Sequence, residues 1–309
     1  MANEAGPTEG ARIVPVTPDR SHVYAALVLA LLLSRPSAAA DELRVALSGG
    51  SIQPGALLLL TIAAPDAVQR LTVHALGHDI EPFRINPHTW QALVGVDLAT
   101  PPGTYQATVT ASTAFRTLTA REALRVQPRQ FPTRRLRVDP SFVEPPPDAV
   151  ERIAREAGEL SAAWLDTATT RLWSGRFLRP VNDASGGQFG ARSVFNGTAR
   201  APHGGEDFAS PAGTPIHAPN AGRVVLARNF YFTGNTVIVD HGLGLFSLFA
   251  HLSAFDVREG DLVAAGQRLG TTGATGRVTG PHLHWAVRAG GARVDPLSVL
   301  SLLGRKTAD

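Results

Sequence analysis

The sequence predicts a mainly β protein of two domains. Its 309 residues include 30 glycines and 23 prolines, and aromatic residues make up only 6%. This composition is typical of short strands joined by turns, and the length is sufficient for two domains. The net charge of +3 is mild, and no basic cluster interleaved with aromatic residues indicates nucleic-acid binding. The chain has no cysteine, which excludes thiolate metal ligands and a lipid attached to cysteine.

The first 40 residues have the features of a secretory signal peptide. An apolar run at residues 23–33 follows two arginines, and three alanines at residues 38–40 follow the run. The run is too short to cross a bilayer comfortably as a permanent helix. We therefore expect residues 1–40 to be removed on export, so that the mature protein begins near Asp41. An uncleaved anchor is the alternative.

Residues 41–138 are predicted to form a β-sandwich of the immunoglobulin-like type. Short apolar segments separated by turn residues predict strands at 43–47, 56–63, 70–75, 89–96, 103–111 and 120–126. Strands at this spacing favour a sandwich. His74, His78 and His88 lie in this region without a paired motif, so we interpret them as structural or surface residues.

Residues 139–177 are predicted to form a proline-rich linker and a helix. Three consecutive prolines at 145–147 stiffen the linker. The helix is expected to begin at Asp148, which forms a capping-box-like pair with Glu151. Helical spacing predicts one apolar stripe that packs on a neighbouring domain. The stripe comprises Val150, Ile153, Ala157, Leu160 and Trp164.

Six of the ten histidines fall between residues 202 and 285, which makes this stretch the candidate functional region. Imidazole is the commonest protein ligand of metals, and a carboxylate can complete the set. His203 and Asp207 are four residues apart. The intervening Gly204 and Gly205 argue against a helix, and we interpret them as a hook that uses positive φ angles.

The second cluster contains His282 and His284. The segment 281–287 is predicted to be a strand, and alternation places both histidines on one face. Two imidazoles and one carboxylate leave a fourth tetrahedral position open, which is the pattern of a catalytic zinc site. The spacing alone does not decide whether His282 or His284 is the ligand.

The region resembles the lysostaphin-like zinc metallopeptidases, also called the LytM type. The family signatures H-x-x-x-D and H-x-H are matched by His203 with Asp207 and by His282 with His284. The match covers residues 178–300. Other similar segments lie at residues 189–192, 211–215, 221–222, 240–242 and 249–253, the last with phenylalanine in place of the tyrosine of Y-A-H-L-S.

The resemblance implies roles for five residues. By that resemblance the zinc ligands are His203, Asp207 and His284, whereas His251 and His282 are catalytic but do not bind the metal. It further implies an antiparallel β domain with a long groove and a substrate in the peptide part of bacterial peptidoglycan. The preceding β-sandwich resembles, more weakly, the all-β domain of some secreted members.

The peptidase domain is expected at residues 178–303. Alternation places Ser247, Phe249 and His251 on one strand face, which directs His251 into the groove. The glycine-rich segment 270–280 is interpreted as a groove wall. Glu206 is interpreted as a surface residue rather than the general base. His241 is interpreted as a residue in a turn that is structural or supports a site residue, and His217 as structural, with a place along the groove as the alternative.

The predicted function is a zinc metalloendopeptidase that hydrolyses peptide cross-links of peptidoglycan by a metal-activated water. We expect a periplasmic or secreted monomer with no nucleic-acid partner and no stable membrane span after signal removal. A non-catalytic LytM-type activator of a cell-wall amidase is the alternative, and a wall-binding module with a vestigial site is a third possibility. An intact ligand set argues against both. A fragment from about Asp148 onward is expected to fold and to remain active.

Overall fold

The computed structural model of the protein describes residues 42–65, 68–137 and 145–304. The described chain is mainly β with antiparallel sheets, which confirms the predicted fold class. Residues 1–40, where we predict a signal peptide, lie outside the described residues. Among the described residues, neither of the two helices has the length and apolar character needed to cross a membrane.

The described chain has nine strands before its first helix. They are β1 (Arg44–Ser48), β2 (Leu57–Ala63), β3 (Arg70–Ala75), β4 (His78–Ile80), β5 (Phe83–Asn86), β6 (Thr89–Gly95), β7 (Gly103–Ser112), β8 (Thr117–Val126) and β9 (Thr133–Leu136). The six predicted strands agree with β1, β2, β3, β6, β7 and β8 to within three residues at each end. The other three strands have at most four residues, too few to show alternation in the sequence.

Two four-stranded antiparallel sheets form the first part of the fold, in the orders β1-β2-β6-β5 and β4-β3-β7-β8. They enclose one apolar core, to which β2 contributes Leu60 and Ile62 and the second sheet contributes Val73 and Val109. The alternating apolar residues of these strands therefore face each other between the sheets. The immunoglobulin-like assignment itself stays a prediction.

Helix α1 (Pro147–Ala163) begins one residue before the predicted start. Its N-cap is Pro146 and no side chain caps it, so the predicted capping pair of Asp148 and Glu151 is wrong. Pro147 occupies the first turn, where a residue without an N–H leaves one donor fewer to satisfy.

The apolar stripe of α1 packs at its C-terminal end. Leu160 and Trp164 contact an apolar cluster, and the Trp164 ring meets Phe246 edge to face with centroids 5.6 Å apart. Val150 and Ala157 are exposed. The predicted packing is therefore confirmed for Leu160 and Trp164 but wrong for Val150 and Ala157.

The rest of the described chain forms eleven strands and a short helix. They are β10 (Arg192–Phe195), β11 (Thr198–Ala199), β12 (Gly205–Phe208), β13 (Pro215–His217), β14 (Gly222–Phe230), β15 (Gly234–Gly242), β16 (Leu245–Phe255), β17 (Leu262–Val263), β18 (Arg268–Thr272), β19 (Leu283–Ala289), β20 (Ala292–Val294) and α2 (Pro296–Leu303). A nine-stranded sheet has the main order β12-β19-β16-β15-β14-β17, with β13, β18 and β20 attached. In a separate sheet, β9 pairs in parallel with β10.

Strands β2 and β6 bury apolar residues on both faces, and this joins the two parts of the fold. Leu57 and Leu93 belong to the core of the nine-stranded sheet, whereas their neighbours along the strands belong to the first core. Gly95 allows close contact, because a Cβ there would lie 2.7 Å from the carbonyl oxygen of Ala289. The apolar run of β2 is thus explained by two cores rather than one.

Polar contacts join the same surfaces. Arg293 Nη2 donates to Asp97 Oδ1 over 2.7 Å, and Leu57 N donates to Ser298 Oγ over 2.8 Å. Burial raises the pKa of Asp97, but the hydrogen bonds from Arg293 and from backbone groups outweigh it and lower that pKa to about 2. This shared interface argues against our expectation that a fragment beginning at Asp148 folds by itself.

Candidate metal centre

Three neighbouring strands set the frame of the site. β12 pairs with β19, and β19 pairs with β16, so that Asp207 lies opposite His284 and His284 lies opposite Ala250. Residues directly opposite in a ladder project from the same face. The carboxylate and one imidazole are therefore placed together by the register, and His203 approaches from the segment just before β12.

His203, Asp207 and His284 form a compact cluster, which we call the ligand group. Asp207 Oδ1 lies 3.1 Å from His203 Nε2 and 2.9 Å from His284 Nδ1, and the two nitrogens are 3.0 Å apart. In the part of the chain that the structure describes, this is the group of His, Asp and Glu side chains close enough to hold a metal ion.

Gly205 permits the close approach of β12 to β19. A Cβ at this position would lie 2.5 Å from the carbonyl oxygen of Trp285 and 2.8 Å from His284 Nε2. The predicted hook with positive φ angles is wrong, because neither Gly204 nor Gly205 has a positive φ. The sequence needs glycine at 205 for space rather than for an unusual backbone conformation.

The segment 185–191 holds His203. Its backbone exchanges hydrogen bonds with the His203 backbone through Gly190 N and Ala191 O, at 2.8 and 2.9 Å. His203 Nδ1 lies 3.2 Å from the carbonyl oxygen of Gln188. A carbonyl only accepts, so Nδ1 carries a proton and donates to it, and Nε2 is the ring nitrogen that faces the ligand group.

The charged forms of Asp207 and His203 stabilise each other. Burial raises the pKa of Asp207, but hydrogen bonds from His203 and His284 outweigh it and hold that pKa well below its usual range. Burial lowers the pKa of His203, but the hydrogen bond and charge of Asp207 outweigh it and raise that pKa. Burial lowers the pKa of His284. The group therefore presents an anionic oxygen beside two ring nitrogens.

His251 and His282 lie beside the ligand group, and we call them the flanking pair. Their ring centroids are 4.8 Å apart, and His251 lies 6.1 Å from the ring of His284. His282 Nε2 is 3.8 Å from Asp207 Oδ1. The structure therefore brings all five predicted site residues together, although their roles stay predictions.

A β-bulge directs His251 toward the site. Phe249 pairs with Trp285 and is buried in the core, on the face opposite His284. Regular alternation would put His251 on that same core face, and the predicted common face for Ser247, Phe249 and His251 is therefore wrong. The register with β15 shifts here and His251 has φ +68°, so the bulge turns its side chain to the other face.

Backbone carbonyls orient the flanking pair. His251 Nδ1 lies 2.9 Å from Thr275 O, and His282 Nδ1 lies 2.9 Å from Gly280 O. Both acceptors belong to the glycine-rich segment 270–280. Each Nδ1 therefore donates, which leaves Nε2 as the ring nitrogen available to the site. Burial lowers the pKa of His251 to about 4, so this imidazole is neutral at neutral pH.

Glu206 and His241 are fully buried and do not belong to the ligand group or the flanking pair. The interpretation of Glu206 as a surface residue is wrong: its carboxylate is fully buried and accepts hydrogen bonds from the segment 185–189. His241 lies in β15 rather than in a turn, and its ring bonds to Ala221 O and Ser247 Oγ, at 2.8 and 3.0 Å. Its structural role fits the prediction.

The other histidines that the structure describes lie away from the ligand group. His217 ends β13 and is half-buried. His74 pairs with Asp79 over 2.8 Å on the surface of the second sheet. The interpretation as surface residues agrees with the exposure of His74, His78 and His88.

The ligand group fits a tetrahedral divalent metal ion. With bonds of about 2.0–2.1 Å, neighbouring ligands of zinc are about 3.3 Å apart, close to the separations of 2.9–3.1 Å in this cluster. Two neutral imidazoles and one carboxylate supply three donors, which leaves a position for water or substrate. The fold and this site define a class of proteins, the metallopeptidases with H-x-x-x-D and H-x-H motifs.

Comparisons with known proteins agree with this class. The model of Peptidase family M23 matches residues 201–296. A crystal structure of a peptidase assigned to M23 from Pseudomonas aeruginosa superposes with a TM-score of 0.63 at 33% identity, covering 81% of this chain and 96% of that one. The chain belongs to Peptidase family M23, which confirms the resemblance inferred from the motifs.

Curated relatives match about a third of the chain. The peptidoglycan DD-endopeptidase ShyA of Vibrio cholerae is 45% identical over 97 residues, which is 31% of this chain and 23% of that protein. The DD-carboxypeptidase/endopeptidase Mpg of Neisseria meningitidis is 44% identical over 97 residues, 31% of this chain and 22% of that protein. The match thus spans less than a quarter of each of these relatives.

Proposed function

We propose that this protein is a zinc-dependent endopeptidase that hydrolyses peptide cross-links of bacterial peptidoglycan. The observation that carries the proposal is the ligand group, in which one carboxylate oxygen and two ring nitrogens lie within 3.1 Å of one another beside two further imidazoles. The names of the relatives from Vibrio and Neisseria supply the substrate class, and they favour a D,D bond as the one cleaved.

His203, Asp207 and His284 would hold the zinc ion through His203 Nε2, Asp207 Oδ1 and His284 Nδ1. When bound, zinc supplies Lewis-acid polarisation of the scissile carbonyl and activation of water. The Asp207 carboxylate offsets part of the positive charge, and the Gln188 carbonyl fixes the tautomer of His203.

His251 and His282 would handle protons and stabilise the charge that develops on the substrate. Each has its Nδ1 bound to a backbone carbonyl, so each can accept or donate only through Nε2. A neutral imidazole can take a proton from water and later give it to the leaving amine. Once protonated, the same Nε2–H can donate to the oxyanion of the tetrahedral intermediate.

The alternative function, a non-catalytic activator of a cell-wall amidase, is less well supported. An activator needs no metal ligands, whereas this chain keeps all three in a compact geometry and keeps the flanking pair as well. We further propose that the enzyme acts outside the cytoplasm as a monomer, with a signal peptide at 1–40, a β-sandwich at 41–138, a linker and helix at 139–177 and the peptidase domain at 178–303.

Digestion of purified sacculi tests the proposal. The zinc-loaded protein should convert cross-linked muropeptides into monomers, which mass spectrometry identifies. A chelator should stop this conversion, and added zinc should restore it. The Asp207→Ala variant should be inactive under all three conditions. No cleavage by the zinc-loaded wild type would contradict the proposal. Stimulation of a separate amidase by the Asp207→Ala variant would instead support the alternative.

A further inference from the structure

Glu206 is a fully buried carboxylate that the proposed chemistry does not use. It accepts a hydrogen bond from Ser185 Oγ over 2.5 Å and others from the backbone N–H groups of Gly187, Gln188 and Phe189, the last two at 3.1 and 3.2 Å. Successive N–H groups that converge on one carboxylate form a small anion-binding nest. Here the anion is supplied by the protein itself.

The same segment positions a predicted metal ligand. The carbonyl of Gln188 accepts from His203 Nδ1 over 3.2 Å, and Gly190 N donates to His203 O over 2.8 Å. The Phe189 N–H that binds Glu206 therefore belongs to the same peptide unit as the Gln188 carbonyl that accepts from His203. A change at Glu206 would move that carbonyl.

Alternation along β12 explains how one strand contributes both to the ligand group and to the contact with the segment that holds His203. Asp207 projects toward the site and Glu206 projects from the opposite face. Phe189 then anchors the segment from the other side, because Arg129 lies 5.4 Å above its ring and Phe131 meets it edge to face at 6.3 Å. The segment is thus held between Glu206 and two residues that precede β9.

We propose that Glu206 is a positioning residue for the metal site, which sets the geometry of His203 through the segment 185–190. The proposal rests on the proposed function, since it assumes that His203 binds the metal. It assigns Glu206 no proton transfer, because its two oxygens are occupied by one hydroxyl and three backbone N–H groups. Positioning partners of this kind typically change metal affinity about 10–100-fold when they are removed.

Asp240 offers a matched control. It is also fully buried, and it accepts from Ala168 N, Gly242 N and Thr167 Oγ1 at 2.7, 2.8 and 2.9 Å. These partners belong to the segment after α1 and to the end of β15, not to the segment that holds His203. Asp240→Asn therefore removes a comparable carboxylate and tests for general destabilisation.

The experiment measures zinc affinity of the apo-proteins by competition with a chromophoric chelator, together with the visible spectrum of the cobalt(II) forms and the melting temperature. Glu206→Gln should weaken zinc binding by about 10–100-fold and change the cobalt spectrum. Asp240→Asn should lower the melting temperature while zinc affinity stays within about threefold of wild type. In the metal-free Glu206→Gln protein, amide hydrogen exchange at 187–189 should be faster than in wild type.

Two results would overturn the positioning role. One is unchanged zinc affinity in Glu206→Gln, and the other is an equal loss of affinity in Asp240→Asn. If Glu206→Gln does not fold, Ser185→Ala removes one donor to Glu206 and should weaken zinc binding a few-fold, and unchanged affinity there would equally overturn the role. A wild type that binds no zinc would refute the proposed function itself, which separates the two failures.

Discussion

The ligand group and the flanking pair lie side by side but are positioned by different means. Asp207 and His284 come from paired strands, and His203 is held by a segment that is anchored on a buried carboxylate and on residues preceding β9. The flanking pair depends on a β-bulge and on two carbonyls of a glycine-rich segment. Because different segments hold the two groups, we expect that the proposed metal binding and the proposed proton transfer can be changed separately.

Loss of the shared carboxylate should have the largest effect on the ligand group. Asp207→Ala should weaken zinc binding by more than about 100-fold and abolish cleavage, because two neutral imidazoles cannot replace an anionic ligand. Elemental analysis and the cleavage rate, measured on one preparation, check this. Asp79→Ala, which breaks the exposed contact with His74, is the matched control and should keep full zinc. Full zinc occupancy in Asp207→Ala would show that the ligand set is wrong.

Removal of the two N-terminal sheets should destabilise both the ligand group and the flanking pair. A fragment of residues 145–304 loses Leu57 and Leu93 from the core of the nine-stranded sheet, and it loses Arg129 and Phe131 beside Phe189. We expect it to aggregate or to melt without cooperativity, whereas residues 42–304 should unfold cooperatively. Circular dichroism melting and size-exclusion chromatography distinguish these results. A stable, zinc-loaded fragment would restore the original expectation of an independent domain.

A buried histidine outside the site provides the smallest predicted effect. Burial lowers the pKa of His241 to about 4, whereas an unfolded chain titrates near 6.5. The unfolded state therefore binds more protons between these values, so the stabilisation is complete above about pH 6.5 and is lost as the pH falls toward 4. Between pH 7 and 5 the free energy of unfolding should fall by about 2 kcal/mol from this group.

Urea denaturation at the two pH values measures that change. The His241→Gln variant should show a smaller difference between pH 7 and pH 5 than wild type, because it cannot titrate. An equal pH dependence in both proteins would assign the effect to other groups, including the site histidines.

Much of the fold and site could be predicted from the sequence because the signals are local. Alternation predicted six N-terminal strands, and the spacing of His203, Asp207, His282 and His284 predicted the cluster. The strand face of the His251 side chain could not be predicted, because the bulge depends on the pairing of β16 with β15 and not on the sequence of β16 alone. Phe249, two residues before His251, still follows the alternation of a regular strand.

The burial of Glu206 and the shared core were missed for a related reason. The sequence around Glu206 is rich in glycine and predicts a surface residue. Its burial depends on the N–H groups of residues 187–189, which are far from it in sequence and bind its carboxylate in the folded chain. The leucines of β2 lie on both faces of the strand, but the sequence alone does not show that the face carrying Leu57 packs against a second core. Both features depend on contacts between distant segments.

The most direct test of the separation between the two halves of the site compares three variants. Zinc content and cleavage rate are measured on the same preparations of His251→Ala, His282→Ala and His284→Ala. The first two should each keep about one zinc while turnover falls by at least about 100-fold, the usual cost of losing a positioned proton-transfer group. The third should lose the metal. Loss of zinc in His282→Ala with retention in His284→Ala, or near-wild-type turnover in both flanking variants, would contradict the account.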